Sequence, residues 1–223
     1  TRQTGFSGIS GSRWRDGRPE GMRERRKMME RGIWLLRHGD IVRGGQRRFV
    51  GQRDLPLSGV GHRQYDRLAE TMAEKLAKTP PKAFFCSDLS RGIECADILR
   101  RAFRPAGGKM PVIADRGLRE ISLGAWEGLT KEEVEKRYPG ALDERMADLA
   151  GYAPAGGESF EMVQRRAIMA LARFRMNYPD GILVVVGHAG LNRAILADYM
   201  ALPLRDVLRI PQEYACSVFL ENR

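Results

Sequence analysis

The chain has 223 residues, of which 43% are hydrophobic, enough apolar material for one large domain or two small ones, which excludes disorder throughout. Its 38 Lys and Arg against 28 Asp and Glu give a net charge of +10, which raises nucleic acid, an acidic membrane surface and anionic small molecules as partner classes. Half of that excess, a net +5, sits in residues 1–31.

Residues 1–27 are rich in Gly, Ser and Arg, with scattered apolar residues such as Phe6, Ile9, Trp14 and Met22. The segment 1–30 therefore reads as a basic, flexible arm or linker ahead of a compact domain over 31–223. Phe6 and Trp14 are its sole aromatics and no nucleic-acid motif accompanies them, so nucleic acid is not the expected partner. The arm lacks the apolar region of a secretory signal. The longest aliphatic run, Ile182 to Val186, is far shorter than the roughly 18 apolar residues of a membrane-spanning helix. Cys86, Cys95 and Cys216 show no C-x-x-C spacing, which points to a reducing, cytoplasmic location. The histidines at 38, 62 and 188 lack metal-ligand spacing, so neither metal nor cofactor is expected.

From residue 33 onward strand-like and helix-like segments alternate. Ile33 to Leu36 is a short apolar run, and Ser58 opens a long helical stretch through Leu68, Met72 and Leu76 that Pro80 and Pro81 stop. Ala83 to Cys86 predicts a second strand, 90–103 a helix, Val112 to Ala114 a third strand, and Thr130-Lys131-Glu132-Glu133 the capping box of another helix. Residues 139–157 carry Pro139, Gly140, Gly151, Pro154, Gly156 and Gly157 around a short helix-like patch and read as a mobile excursion. Ser159 is a candidate N-cap for a helix burying Phe160, Val163, Ala167, Leu171 and Phe174. Ile182 to Val186, apolar on both faces, predicts a central parallel strand. A helix from about Gly190 to Ala201 and a strand near Ser217 to Leu220 complete a three-layer α/β/α sandwich with a mostly parallel central sheet.

In such sheets ligands bind beyond the carboxyl ends of the strands. The residues standing there are Arg37-His38-Gly39, then Ser87-Asp88-Leu89-Ser90-Arg91, then Arg119-Glu120, then Gly187-His188-Ala189-Gly190. Two histidines, arginines and a carboxylate at one edge suit an anionic group: a guanidinium is always charged and binds phosphate with two parallel hydrogen bonds.

The order R-H-G, S-D-L-x-R, L-x-E-x-x-x-G-x-W-E-G and G-H-A-G over about residues 32–220 resembles the histidine phosphatase superfamily, also called phosphoglycerate mutase-like. Val50 to Ser58, Trp126 to Thr130 and Gly156 to Ser159 are most similar to small bacterial phosphatases such as the α-ribazole phosphatases of cobalamin synthesis. The resemblance implies a metal-independent phosphomonoesterase. In it His38 is the nucleophile, His188 stabilises the transferring group, and Glu120 serves as acid and then base. It implies substrate contacts from Arg37, Gly39, Gly51, Gln52, Arg91 and Ala189.

Glu127 and Glu158 are rival carboxylates, Glu158 being expected as a structural partner near the start of the Ser159 helix. Ser87 and Ser90 lack a G-x-S-x-G setting and read as a strand-end turn and a helix cap. His62 reads as solvated and Cys86 as buried. Where the family has an Asn six positions after its nucleophile this chain has Gly44, so Gln52 or backbone near Gly51 is expected to take its place. Arg145 is the single arginine within 139–157, too few cations for a bisphosphorylated cofactor, so hydrolysis is preferred to a 2,3-bisphosphoglycerate-dependent mutase. An inactive phosphatase-like module with a nucleic-acid-binding arm is the alternative of another class. Met146, Leu149 and Tyr152 are expected to face an organic leaving group, with α-ribazole 5′-phosphate as the named candidate.

Overall fold

A computed structural model describes residues 31–103 and 110–221, together with the backbones of Trp14–Arg15 and Arg18–Pro19, which pair antiparallel. The rest of the expected arm lies outside the described residues.

The strands are β1 (Gly32–Arg37), β2 (Pro81–Cys86), β3 (Val112–Ala114), β4 (Ile182–Gly187) and β5 (Ser217–Glu221). The helices are α1 (Gly59–Lys78), α2 (Ser90–Ala102), α3 (Lys131–Arg137), α4 (Ala141–Ala147), α5 (Phe160–Asn177) and α6 (Ala189–Tyr199). The sheet runs β3-β2-β4-β1-β5, parallel except for β5, which pairs antiparallel with β1.

Because successive side chains on a strand point to opposite faces, the sheet divides its apolar residues between two cores. Leu36, Phe84, Cys86, Val184 and Val186 meet Tyr65, Met72 and Leu76 of α1 and Ile98 and Leu99 of α2. Leu35, Phe85, Leu183 and Val185 meet Val163, Ala167 and Phe174 of α5 and Leu191 and Ile195 of α6. β4 is therefore buried on both faces, as its aliphatic run requires.

The helix starts follow their local chemistry. Ser58 accepts a hydrogen bond from Gly61 N, Ser159 accepts one from Met162 N, and Thr130 and Glu133 form a reciprocal capping box. Ser90 departs from its expected capping role: Leu89 holds the N-cap position of α2, and Ser90 donates its hydroxyl to Asp54. Residues 139–157 form the expected excursion around a short helix, and it is tied to its neighbours. They contain α4, and Ala125 N donates to Ala155 O at 2.9 Å while Glu161 N donates to Ala150 O at 3.2 Å. A third, small cluster of Trp126, Leu129, Val134 and Ala141 seats this excursion beside the carboxyl edge of the sheet.

Candidate active site

Strand register brings the predicted residues together. Arg37 pairs with Gly187 and Cys86 with Val186, so His38, Ser87 and His188 leave the sheet at the same level. His38 N donates to Gly187 O at 3.2 Å, extending the β1–β4 ladder by one residue and fixing the two histidines next to each other. Their ring centroids are 5.0 Å apart at 56°.

His38 is 4% exposed. Its Nδ1 lies 2.6 Å from Gly39 O, and a carbonyl only accepts, so Nδ1 carries the proton and Nε2 keeps its lone pair. Burial, and then the positive charge of Arg91, hold the imidazole down to about 3, so it is neutral near pH 7. His188 is fully buried and is held well below the usual range by burial, then by His38 and Arg91. Arg91 Nε donates to His188 Nδ1 at 3.3 Å, which leaves the proton on Nε2, 2.7 Å from Ser87 Oγ. His188 is thus the complementary tautomer of His38. Direct contact of its ring with a transferring group requires one of these two bonds to open.

Arg91 is 1% exposed and donates from its two terminal nitrogens to Arg53 O at 2.8 Å and Gly51 O at 2.9 Å, which leaves one N–H on each. Arg37 lies with its guanidinium carbon 3.9 Å from the centre of the Tyr214 ring and donates to Gln212 O. Its Nε is buried without a hydrogen-bond partner. A buried N–H of this kind costs free energy unless an acceptor reaches it.

Glu120 sits at the start of α6, where Ile121 N, Leu191 N and Gly190 N donate to its carboxylate at 2.8, 3.0 and 3.1 Å. Its negative charge acts on both Arg37 and Arg91. Arg166 NH2 and Gln52 Nε2 both donate to Glu120 O at 3.0 Å, fixing its backbone. Ala189 is the first residue of α6, directly after His188, and lines a cleft with Glu120.

The rival carboxylates separate clearly. Glu158 binds Arg166 at 2.7 Å and accepts from Ser122 N, a structural pair as expected. Glu127 accepts from Gln52 N and Leu123 N, holding two loops together. Gly51 has φ +53, and a Cβ there would lie 2.1 Å from Glu127 Oε1, so this tight junction requires glycine. The carboxamide nitrogen of Gln52 donates to Glu120 O at 3.0 Å and lies 3.4 Å from Glu158, and its oxygen accepts from Arg119 at 3.4 Å. Gly39 approaches α1 rather than forming a left-handed turn, for its Cβ would meet Gly61 O at 2.5 Å.

A family model for the histidine phosphatase superfamily, branch 1, matches residues 33–222. The chain belongs to the histidine phosphatase superfamily. It is 36% identical over 186 residues, 79% of this chain and 77% of the relative, to a glucosyl-3-phosphoglycerate phosphatase of Mycolicibacterium vanbaalenii. It is 31% identical over 166 residues, 73% of this chain and 68% of the relative, to phosphoglycerate mutase-like protein 4 of Arabidopsis thaliana. Among solved structures of this superfamily's fold, mycobacterial glucosyl-3-phosphoglycerate phosphatase in complex with VO3 aligns with TM-score 0.72 at 29% identity, covering 85% of this chain and 90% of that one. An Escherichia coli structure provisionally named an α-ribazole-5′-P phosphatase aligns with TM-score 0.67 at 21% identity, over 86% and 96% of the two chains, which shows the shared fold alone.

Several residues around this histidine phosphatase site were not among those expected. Ser87 holds His188, Tyr214 and Gln212 hold Arg37, and Asp54 receives Ser90 N at 2.7 Å, tying the loop that grips Arg91 to α2. The S-D-L-x-R motif contained a signal for Ser87; Tyr214 and Gln212 follow no motif and reach the site through the β5 approach. His62 lies on the surface 3.2 Å from Glu94, and Cys86 is buried, both as expected. No helix of the described residues is long and apolar enough to cross a membrane.

Proposed function

We propose that the protein is a phosphomonoesterase that hydrolyses a small-molecule phosphate ester through a phosphohistidine at His38, without a metal ion. The observation that carries this reading is the state of His38: a neutral imidazole whose Nδ1–H is held by Gly39 O, leaving the Nε2 lone pair beside two arginines. Phosphoryl transfer is catalysed chiefly by positioning and by positive donors around the equatorial oxygens. Arg37, with its unpartnered Nε, and Arg91 supply those donors, and Ala189 N at the start of α6 adds one backbone N–H, Gly190 N and Leu191 N being taken by Glu120.

In the first displacement, which Glu120 enters in its protonated form, Nε2 bonds to phosphorus as the ester P–O bond breaks, and the departing alkoxide takes the proton from Glu120, leaving it a carboxylate. In the second, water attacks phosphorus and gives its proton to Glu120. The P–N bond then breaks, releasing inorganic phosphate and returning neutral His38. His188 accepts from Arg91 Nε and so orients that guanidinium during both steps.

Hydrolysis is preferred to mutase chemistry because glucosyl-3-phosphoglycerate phosphatases at 34–36% identity are among the relatives. A requirement for 2,3-bisphosphoglycerate would reverse that preference. Nothing in the site favours the inactive binding module, since His38, His188, both arginines and Glu120 converge. α-Ribazole 5′-phosphate rests on motif resemblance, whereas the relatives' names point to glucosyl-3-phosphoglycerate. The deciding experiment is covalent trapping with a 32P-labelled phosphomonoester. An alkali-stable, acid-labile label on the His38 peptide, absent from His38→Ala, is expected; undiminished p-nitrophenyl phosphate hydrolysis by His38→Ala sinks the reading.

A further inference from the structure

The loop after His38 carries an arginine that the two displacements do not use. The chain is anchored as far as Val42, whose N donates to Pro56 O at 3.0 Å beside the isolated bridge between Ile41 and Leu57. Arg43 is the first residue past that anchor. Gly44 and Gly45 follow it, and a Cβ on either would meet nothing within 4 Å, so the loop can shift toward a ligand without breaking a packed contact there.

Arg43 is exposed, yet its guanidinium carbon lies 5.6 Å from the centre of the Tyr214 ring, within the range of cation–π attraction. The same ring stands 3.9 Å from the guanidinium carbon of Arg37 and 5.7 Å from the His38 ring. Tyr214 thus brings two guanidiniums beside one imidazole. Burial first, then Arg91, Arg37 and Arg43, hold that imidazole low, so the charge of Arg43 is felt at the reacting ring.

Among the described residues none of Arg37, Arg43 and Arg91 forms an ion pair with a carboxylate, whereas Arg119 holds Asp88 and Arg166 holds Glu158. Asp40, the nearest carboxylate to Arg43 along the chain, accepts the Ser58 hydroxyl at 2.7 Å instead. Guanidiniums gathered beside a neutral ring repel one another until an anion sits among them, and the fork of Arg43 donates to no protein acceptor among the described residues. Glu120, the acid for the departing alkoxide, lines a cleft of about 1080 Å3 with Met146, Leu149 and Arg193. Neither Arg43 nor Tyr214 lines that cleft, so both approach His38 from outside the path of the leaving group. Resting on the phosphomonoesterase reading, we propose that Arg43, which shares the Tyr214 ring with Arg37, is a third phosphate-binding arginine that donates to a peripheral oxygen of the phosphoryl group and not to the leaving group.

The test measures binding of inorganic phosphate by calorimetry, and kcat/KM for p-nitrophenyl phosphate and glycerol 2-phosphate, two esters with unrelated leaving groups. Loss of a charge-assisted hydrogen bond in Arg43→Gln predicts phosphate binding weaker by about tenfold, with kcat/KM lower by the same factor for both esters. Arg43→Lys should recover part of each loss. Arg47→Gln makes an equal change of charge at another exposed residue of this loop and should leave both measurements near wild type. Phosphate binding that survives Arg43→Gln, a loss confined to one ester, or an equal loss in Arg47→Gln overturns the inference. Binding needs no turnover, which separates the two readings. If neither ester is hydrolysed but phosphate binds and Arg43→Gln weakens it, the phosphatase reading falls and the inference stands. Hydrolysis that is equal in wild type and Arg43→Gln gives the reverse, and a wild type that neither binds phosphate nor turns over an ester overturns both.

Discussion

His38 and His188 face each other across 5.0 Å as neutral imidazoles of opposite tautomer, the first protonated on Nδ1 by its bond to Gly39 O and the second on Nε2 by its bonds to Arg91 and Ser87. Two imidazolium ions at this distance inside the protein, with Arg37 and Arg91 beside them, would repel strongly. The arrangement therefore keeps His38 neutral with a lone pair on Nε2, and it makes the fold sensitive to acid.

The sign of that sensitivity follows from the lowered proton affinity. His38 is held at about 3, against 6.5 for an ordinary imidazole, by burial first and then by Arg91. Below pH 6.5 the unfolded chain takes up a proton that the native state refuses, so stability falls as pH drops from 6.5 toward 3. His188, lowered by burial and by His38, adds to the same slope. Urea midpoints at pH 7.5 and 4.5 should fall further for the wild type than for His38→Asn, and parallel losses would show that His38 is not buried as a neutral ring.

Ser87→Ala removes the partner of His188 Nε2 at a site with no solvent access. The orphaned imidazole N–H costs roughly 1–3 kcal/mol. It also frees the ring that accepts from Arg91 Nε. We expect a lower melting temperature together with a fall in kcat exceeding the change in KM. Ser87→Thr, which retains the hydroxyl, should recover part of both. An unaltered kcat in Ser87→Ala would show that His188 needs no hydroxyl to keep its orientation.

Gly190→Ala tests the seat of Glu120. A Cβ at Gly190 would lie 2.6 Å from Glu120 Oε1 and 2.8 Å from Ile121 Cγ2, so the carboxylate must leave its bonds to Gly190 N and Leu191 N. A positioned acid or base contributes on the order of 10²–10⁴ in rate. Because the strain falls on two side chains, Glu120 and Ile121, and not on backbone, kcat for p-nitrophenyl phosphate should drop about tenfold or more while the urea midpoint changes little. Near wild-type turnover would remove Glu120 from proton transfer.

What the sequence disclosed about this site divides by range. Arg37, His38, Arg91, Glu120 and His188 were legible because each stands within a few residues of a strand end, and the period-two and period-3.6 patterns locate those ends. Thr130 and Ser159 were legible as helix starts for the same local reason. Tyr214 beneath Arg37, Ser87 against His188 and Arg193 in the cleft were not, because each depends on a side chain arriving from a distant segment. Gln52 shows the limit most clearly. Its carboxamide bonds to Glu120 O, Glu158 and Arg119, partners that reach it from segments far along the chain and that no local pattern indicates.

The close approach of the loop after His38 to α1 gives the last prediction. Gly61 lies within α1, where alanine has about 1 kcal/mol better helix propensity than glycine, so propensity alone predicts that Gly61→Ala stabilises. Its Cβ, however, would lie 2.0 Å from Asp40 O, and a Cβ on Gly39 would lie 2.5 Å from Gly61 O. Backbone cannot rotate out of the way as a side chain does, and overpacking a tight site costs roughly 1–3 kcal/mol. With a contact this short the steric cost wins, for a net loss of about 1–2 kcal/mol. The displaced segment, Gly39-Asp40, includes the carbonyl that fixes the His38 tautomer, so kcat should fall with stability. Gly59→Ala is the comparison, since the nearest atom to its Cβ would be Arg63 NH1 at 3.6 Å. It should leave both properties near wild type, and equal melting temperatures for the two variants would show that α1 can move away from His38 at little cost.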